Sequence, residues 1–247
     1  MSLLRKLALA FVGTIVLLGT ARAQSGDVLR VATDATFPPF EYVEDGKMTG
    51  FDIELVEAMA KIMGKKVEWT QIDFKGLIPG LLAKRFDMAV SAIYITEERR
   101  KVVDFTDPYY PGGLVILVRK DNTAINGPED LDGKRVSVQV GTKSVNFLKE
   151  NYPKVIRVEV EKNQEMFNLV EIGRVDAAVT GKPAAKLFAK SRPSVKVLDK
   201  QLTTEEYGMA VRKDTPELTR ALNAALAQLK ADGTYDRLVQ KWFEAGE

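Results

Sequence analysis

The residues with the clearest capacity for chemistry are Arg99, Arg100 and Lys101, in the stretch SAIYITEERRKVVDF that runs from Ser91 to Phe105. Thr96 is a good helix N-cap, and Glu97 and Glu98 suit the positive end of a helix dipole. A guanidinium does not suit that end. Either Arg99, Arg100 and Lys101 form a solvated face, or one of them reaches across the strand end to hold an anion. A planar guanidinium grips a carboxylate through two parallel donors, which lysine cannot do. Gly141-Thr142 is a second anion-binding feature, because it ends a strand and opens a helix whose N–H groups are exposed. Asp34, at the end of the first strand, is either a loop-capping carboxylate or a partner for a polar group. Phe37 in TFPPF and Phe74 in DFKG are either core residues or rings at a cleft edge.

The composition narrows the chemistry further. The 247 residues contain no cysteine and no histidine. No thiolate can act, no disulfide can form, and the usual general base and zinc ligands are missing. Residues 1–23 read as a secretory signal peptide. Arg5 and Lys6 form a positive start, Leu7 to Gly19 is a short apolar run, and Ala21-Arg22-Ala23 is a cleavage signature. Removing Arg5, Lys6 and Arg22 leaves 33 basic against 34 acidic residues, a net charge of −1. Nothing in that balance suggests nucleic acid. No later stretch is apolar over 18 residues. An exported, near-neutral chain without histidine or cysteine suits a binder better than an enzyme.

The elements that must position these residues follow from periodicity. LRVATD, KVEWTQID and DMAVSAI read as strands, and Asp45-Gly46 as a hairpin turn. Between them, Asp52 opens a helix with Leu55, Val56, Met59, Ala60 and Met63 on one face, which Gly64 ends, and FKGLIPGLLAKRF forms a short helix despite Pro79. After the Pro/Gly-rich break at Asp107 to Gly113 the alternation restarts. LVILVRK, RVSVQV, VIRVEV and VDAAVTG are strands, with helices after Gly141-Thr142 and from Gln164 to Ile172. Thr215-Pro216-Glu217 starts a C-terminal helix, Gly233 stops it, and Tyr235 to Phe243 forms a last one. Strand–helix alternation twice over predicts an α/β chain of two lobes, each a mostly parallel sheet flanked by helices.

Five segments in order, VATDATFPPFEY, GFDIELVEAMAK, DFKGLIPGLLAKRFDMAVSAIYITEERRKVVDFTDPYY, DLDGKRVSVQVGTKSV and EYGMAVRKDTPELTRALNAALAQLKADGTYDRLVQKWF, resemble the bacterial periplasmic solute-binding proteins of family 3, the polar amino-acid binders of ABC transporters. The resemblance implies a type II clamshell with two hinge strands, closing on one ligand and passing it to an inner-membrane permease. It places lobe 1 at 28–108 plus 208–247, lobe 2 at 114–202, and hinges near 109–113 and 203–207. No cofactor or metal is implied, and the protein is expected to be monomeric. Arg99 takes the position that pairs with the ligand α-carboxylate, with Thr142 on the opposite side. Phe37 and Phe74 take the positions of rings that sandwich the ligand, Asp34 that of a carboxylate on its side chain, and Ala92 that of a carbonyl on its ammonium. Ser91, Gln139, Lys143 and Thr180 complete the expected lining.

Two positions depart from the family's pattern. Tyr94 stands where a serine or threonine is common, and Gly181, followed by Lys182, stands where an aspartate pairs with the α-ammonium. Either another acid does that work, with Asp34 and Glu165 as candidates, or the ligand lacks a free α-amino group. Tyr94, Phe37 and Phe74 could also box a cation. An aspartate placed at 181 is expected to restore the charge pair. The alternative readings are a dehydratase of cyclic dienyl carboxylic acids on the same scaffold, and a ligand-sensing periplasmic protein of a signalling receptor.

Overall fold

The structure is a computed structural model that describes residues 27–244. The expected signal peptide lies outside the described residues. Two five-stranded sheets are built to one plan. In the first, the order is Lys66–Gln71, Val28–Thr33, Met88–Ala89, Ala210–Val211, Asp104–Phe105. In the second it is Ile156–Val160, Arg135–Gln139, Ala177–Gly181, Leu114–Arg119, Val195–Val197. The first three strands of each are parallel, and the fourth runs antiparallel to both its neighbours. That fourth strand is in each case the one that follows a crossing from the other lobe. The two crossings, Tyr110–Pro111 and Glu206–Tyr207, pair with each other as a short antiparallel ribbon. The chain is thus a two-lobed clamshell of the type II kind.

Local chemistry explains the elements that frame the cleft. Asp45 and Gly46 both have positive φ, 49° and 76°, and join strands Glu41–Glu44 and Lys47–Thr49 with Glu44 opposite Lys47. This is the two-residue hairpin that an Asp-Gly pair favours. The helix Phe51–Ile62 starts one residue before the expected Asp52. Its N-cap is Gly50 at φ 125°, where a Cβ would overlap the carbonyl of Phe40. Pro79 sits in the first turn of helix Leu77–Leu82, where its missing N–H costs nothing. The third strand of lobe 1 shrinks to Met88–Ala89, because Ala92 turns out of the sheet at φ 42°. Helix Pro216–Ala231 buries Leu222, Ala225, Leu226 and Leu229.

In both lobes the parallel strands point their carboxyl ends at the seam, where ligands of open α/β sheets bind. Val28–Thr33 delivers Asp34, Met88–Ala89 delivers Ser91 and Ala92, Arg135–Gln139 ends on Gln139, and Ala177–Gly181 ends on Gly181.

Candidate functional site

The floor of the cleft, on lobe 1, stands on buried carboxyls. Asp52 faces inward from the start of its helix and accepts from the Ala92 N–H at 3.0 Å and the Tyr109 hydroxyl at 2.8 Å. Glu41 accepts from the Ser91 hydroxyl at 2.8 Å, and Ser91 in turn accepts from the Asp34 N–H at 3.2 Å. Burial raises both carboxyls, Asp52 to about 6 and Glu41 further, with the neighbouring charge adding to Glu41. The closeness of the two buried carboxyls disfavours charging both at once. This network fixes Ala92 in a left-handed conformation that a non-glycine residue adopts at a cost of order 1–3 kcal/mol.

The opposite wall, on lobe 2, is neutral but for Lys143, which is paired with Glu205 at 2.6 Å. The Gln139 side-chain amide donates to Asp34 at 2.7 Å and to the Glu161 carbonyl at 3.0 Å, and its oxygen accepts from Asn163 at 2.9 Å. Thr142 is the N-cap of helix Lys143–Asn151, but its hydroxyl donates back to the Gln139 carbonyl at 2.7 Å instead of capping. Gly141, at φ 77°, brings its backbone against Lys75 of lobe 1.

Most of the expected site residues line one cavity. Phe37, Phe74, Ser91, Ala92, Tyr94, Gln139, Thr142, Lys143, Thr180 and Gly181 all face it. It measures about 30 Å³, far below the roughly 300–1,000 Å³ of ligand sites, so the lobes or the side chains must part for a solute to seat. Arg99 lies just outside, on an adjoining cavity of about 660 Å³ that shares Phe74 and Lys143 with the first. Its guanidinium sits 5.5 Å from the Phe74 ring centroid and donates to the Tyr94 carbonyl at 2.9 Å and, across the seam, to the Gly141 carbonyl at 3.3 Å. No carboxylate among the described residues lies within ion-pair distance of it. Burial draws it down to about 10. The helix that bears it, Glu97–Arg100, is a single turn capped by the Thr96 hydroxyl, so Arg99 stands near both ends and the dipole carries little weight there.

Four expectations need correction. Asp34 does not line the cavity. It is buried behind Gln139 and also accepts from the Phe74 N–H at 3.2 Å and the Thr36 hydroxyl at 3.1 Å, with Lys162 at 3.6 Å. Glu165 is exposed on helix Asn163–Glu171 and lines none of the cleft cavities, because the register of that helix turns Asn163 inward instead. An aspartate at 181 has no room, since a Cβ there would overlap the Tyr207 hydroxyl, with Phe37 at 3.3 Å and the Tyr94 hydroxyl at 3.5 Å. Nor do Tyr94, Phe37 and Phe74 form an open cation box: the Tyr94 ring packs on Tyr207 with centroids 4.5 Å apart. Sequence reasoning missed Tyr207, Asn163, Ser144 and Val179 on the lining. Tyr207 lay in a segment read only as hinge, and nothing local marks the other three.

The model of the bacterial extracellular solute-binding proteins, family 3, matches residues 29–245. The chain belongs to that family. ABC transporter arginine-binding protein 1 of Escherichia coli (strain K12) is 34% identical over 230 residues, which cover 91% of this chain and 94% of the relative. An arginine-binding protein from T. maritima superposes with a TM-score of 0.85 at 40% identity, covering 88% of this family 3 chain and 95% of that one. An ancestral amino acid-binding protein, a precursor of cyclohexadienyl dehydratase, superposes at 0.83 with 46% identity, covering 87% and 95%.

Proposed function

We propose that this protein is the periplasmic substrate-binding component of an ABC importer. It takes an amino acid or a related small carboxylate between its lobes and delivers it to an inner-membrane permease. The observation that carries this reading is Arg99, a cleft guanidinium over the Phe74 ring whose hydrogen bonds go to backbone carbonyls and which has no carboxylate partner among the described residues. A desolvated cation without a counter-ion is costly, and a ligand carboxylate relieves that cost. The backbone amides around Gly141 and Thr142 offer the same anion a second side. Lobe 1 comprises 28–108 and 208–247, lobe 2 comprises 114–202, and closure bends the chain at 109–113 and 203–207. The signal peptide at 1–23 directs export, and the protein acts as a monomer.

The likeness to a dehydratase precursor favours one competing reading, turnover of a cyclic dienyl acid. Against it, Asp34 is saturated with donors, and Glu205 is held by Lys143 at 2.6 Å, so no free acid–base pair faces the cavity. The test is calorimetry with a panel of amino acids and their oxo and hydroxy analogues. At least one should bind and shrink the radius of gyration in small-angle scattering. If none binds, the transport reading fails. If prephenate or arogenate is consumed, the chain is an enzyme.

A further inference from the structure

Starting from the reading of a carboxylate receptor, the next question is what else the ligand carries. We infer that this cleft selects a small carboxylate with a hydroxyl or oxo oxygen where an amino acid has its ammonium. The charges and protons that line the cavity point to such a ligand. Lys143 is the one charged side chain that lines it, and Glu205 neutralises Lys143 at 2.6 Å. No carboxylate lines it at all. Asp34 is shielded by Gln139 and already has its donors, Glu165 points to solvent, and Glu98 at the rim of the adjoining cavity is engaged by Asn146 at 3.0 Å. Glu150 and Glu205 line only the adjoining cavity, with Glu205 paired to Lys143. An ammonium brought into the smaller cavity would lose its water and find no carboxylate on its lining, which is unfavourable even with neutral acceptors.

The tyrosine pair decides what suits the space instead. The Tyr207 hydroxyl lies 3.1 Å from that of Tyr94, both beside Gly181. The Tyr94 oxygen is also bonded to the Gly113 backbone. Two hydroxyls hold two protons, and one is used between them. Whichever tyrosine donates to the other, one O–H is left with no acceptor among the described residues. Burial keeps both phenols protonated, so the surplus is a neutral donor and never a phenolate. An ammonium offers only donors, whereas a hydroxyl or oxo oxygen accepts. With the carboxylate at Arg99, the surplus O–H satisfies an oxygen that an amino group could not replace.

Matched triads test this on the full mature chain. Leucine, phenylalanine and glutamate would each be titrated beside the corresponding 2-hydroxy and 2-oxo acids, with arginine and glutamine added, by calorimetry and native mass spectrometry. The expected result is at least one hydroxy or oxo acid bound tenfold or more tighter than its amine. Tyr207→Phe and Tyr94→Phe should each weaken that acid about five- to tenfold, the worth of about one hydrogen bond, and weaken the amine by less. Tighter binding of any of these amino acids than of its oxygen analogues, or of arginine or glutamine above all, overturns the inference and leaves the transport reading standing. Equal losses for acid and amine in the phenylalanine variants overturn it too. Failure of every carboxylate to bind removes the transport reading and this inference together.

Discussion

The two walls of the cleft are made of different material. The lobe 1 floor is charged and hidden: Glu41 and Asp52 lie under Ser91 and Ala92, are fully buried, and hold the turn through Ser91, Ala92 and Tyr109. The lobe 2 wall carries one charge, Lys143, already paired with Glu205, and is otherwise neutral: amides from Gln139 and Asn163, hydroxyls from Thr142 and Thr180, and the bare backbone of Gly181. A strained turn that presents a backbone carbonyl needs strong, local restraint, and buried carboxyls give it. The lobe 2 wall holds no such turn, and its one charge already has its partner.

Three variants sharpen or break that comparison. The largest effect is expected at the seam itself. Arg99→Ala should weaken the natural carboxylate by about 2–5 kcal/mol, or roughly 30- to several-thousand-fold, measured by calorimetry, while Arg100→Ala, whose side chain rests over Phe105, changes little. Equal binding by the two variants would remove Arg99 from the site.

Next comes the floor. Asp52 is raised from 3.8 to about 6 by burial. Its neutral form is therefore favoured in the folded protein, so its contribution is greatest below the unfolded value and is lost as pH rises through about 6. A shift of this size corresponds to about 3 kcal/mol. Asp52→Asn keeps an acceptor for Ala92 and Tyr109 but cannot titrate. The melting temperature of the wild type relative to Asp52→Asn should fall between pH 4 and pH 7; a pH-independent difference would show that the floor is not charged as described.

The smallest effect is expected at the wall. Gly181→Ala places a Cβ against the Tyr207 hydroxyl, an overpacking that costs about 1–3 kcal/mol, read as a lower denaturation midpoint in urea. Tyr207→Phe in the same chain should recover part of it. Loss without recovery would mean that the constraint at 181 lies in the backbone and not in the tyrosine pair.

The parts of the fold governed by near neighbours in sequence were legible. The Asp-Gly hairpin, the Thr96 cap and the proline in the first turn of helix Leu77–Leu82 all depend on contacts within a few residues. The role of Asp52 was not. It reads as a helix-opening acid, and only the return of the chain at Ala92 and Tyr109, 40 and 57 residues on, turns it into a buried support.

The sequence alone determined the strand–helix alternation, its doubling, and the absence of thiol and imidazole chemistry, because periodicity and residue type are local properties; the positions expected at the seam came from the resemblance to the family 3 binders. Which of the acids is free to meet a ligand was decided only by the tertiary structure. Asp34 is covered by Gln139, 105 residues away, and the space beside Gly181 is filled by the hydroxyls of Tyr94 and Tyr207, themselves 113 residues apart. Charge pairing and excluded volume act through space between elements that the chain pattern leaves unrelated, so the availability of a counter-charge is settled when the two lobes come together.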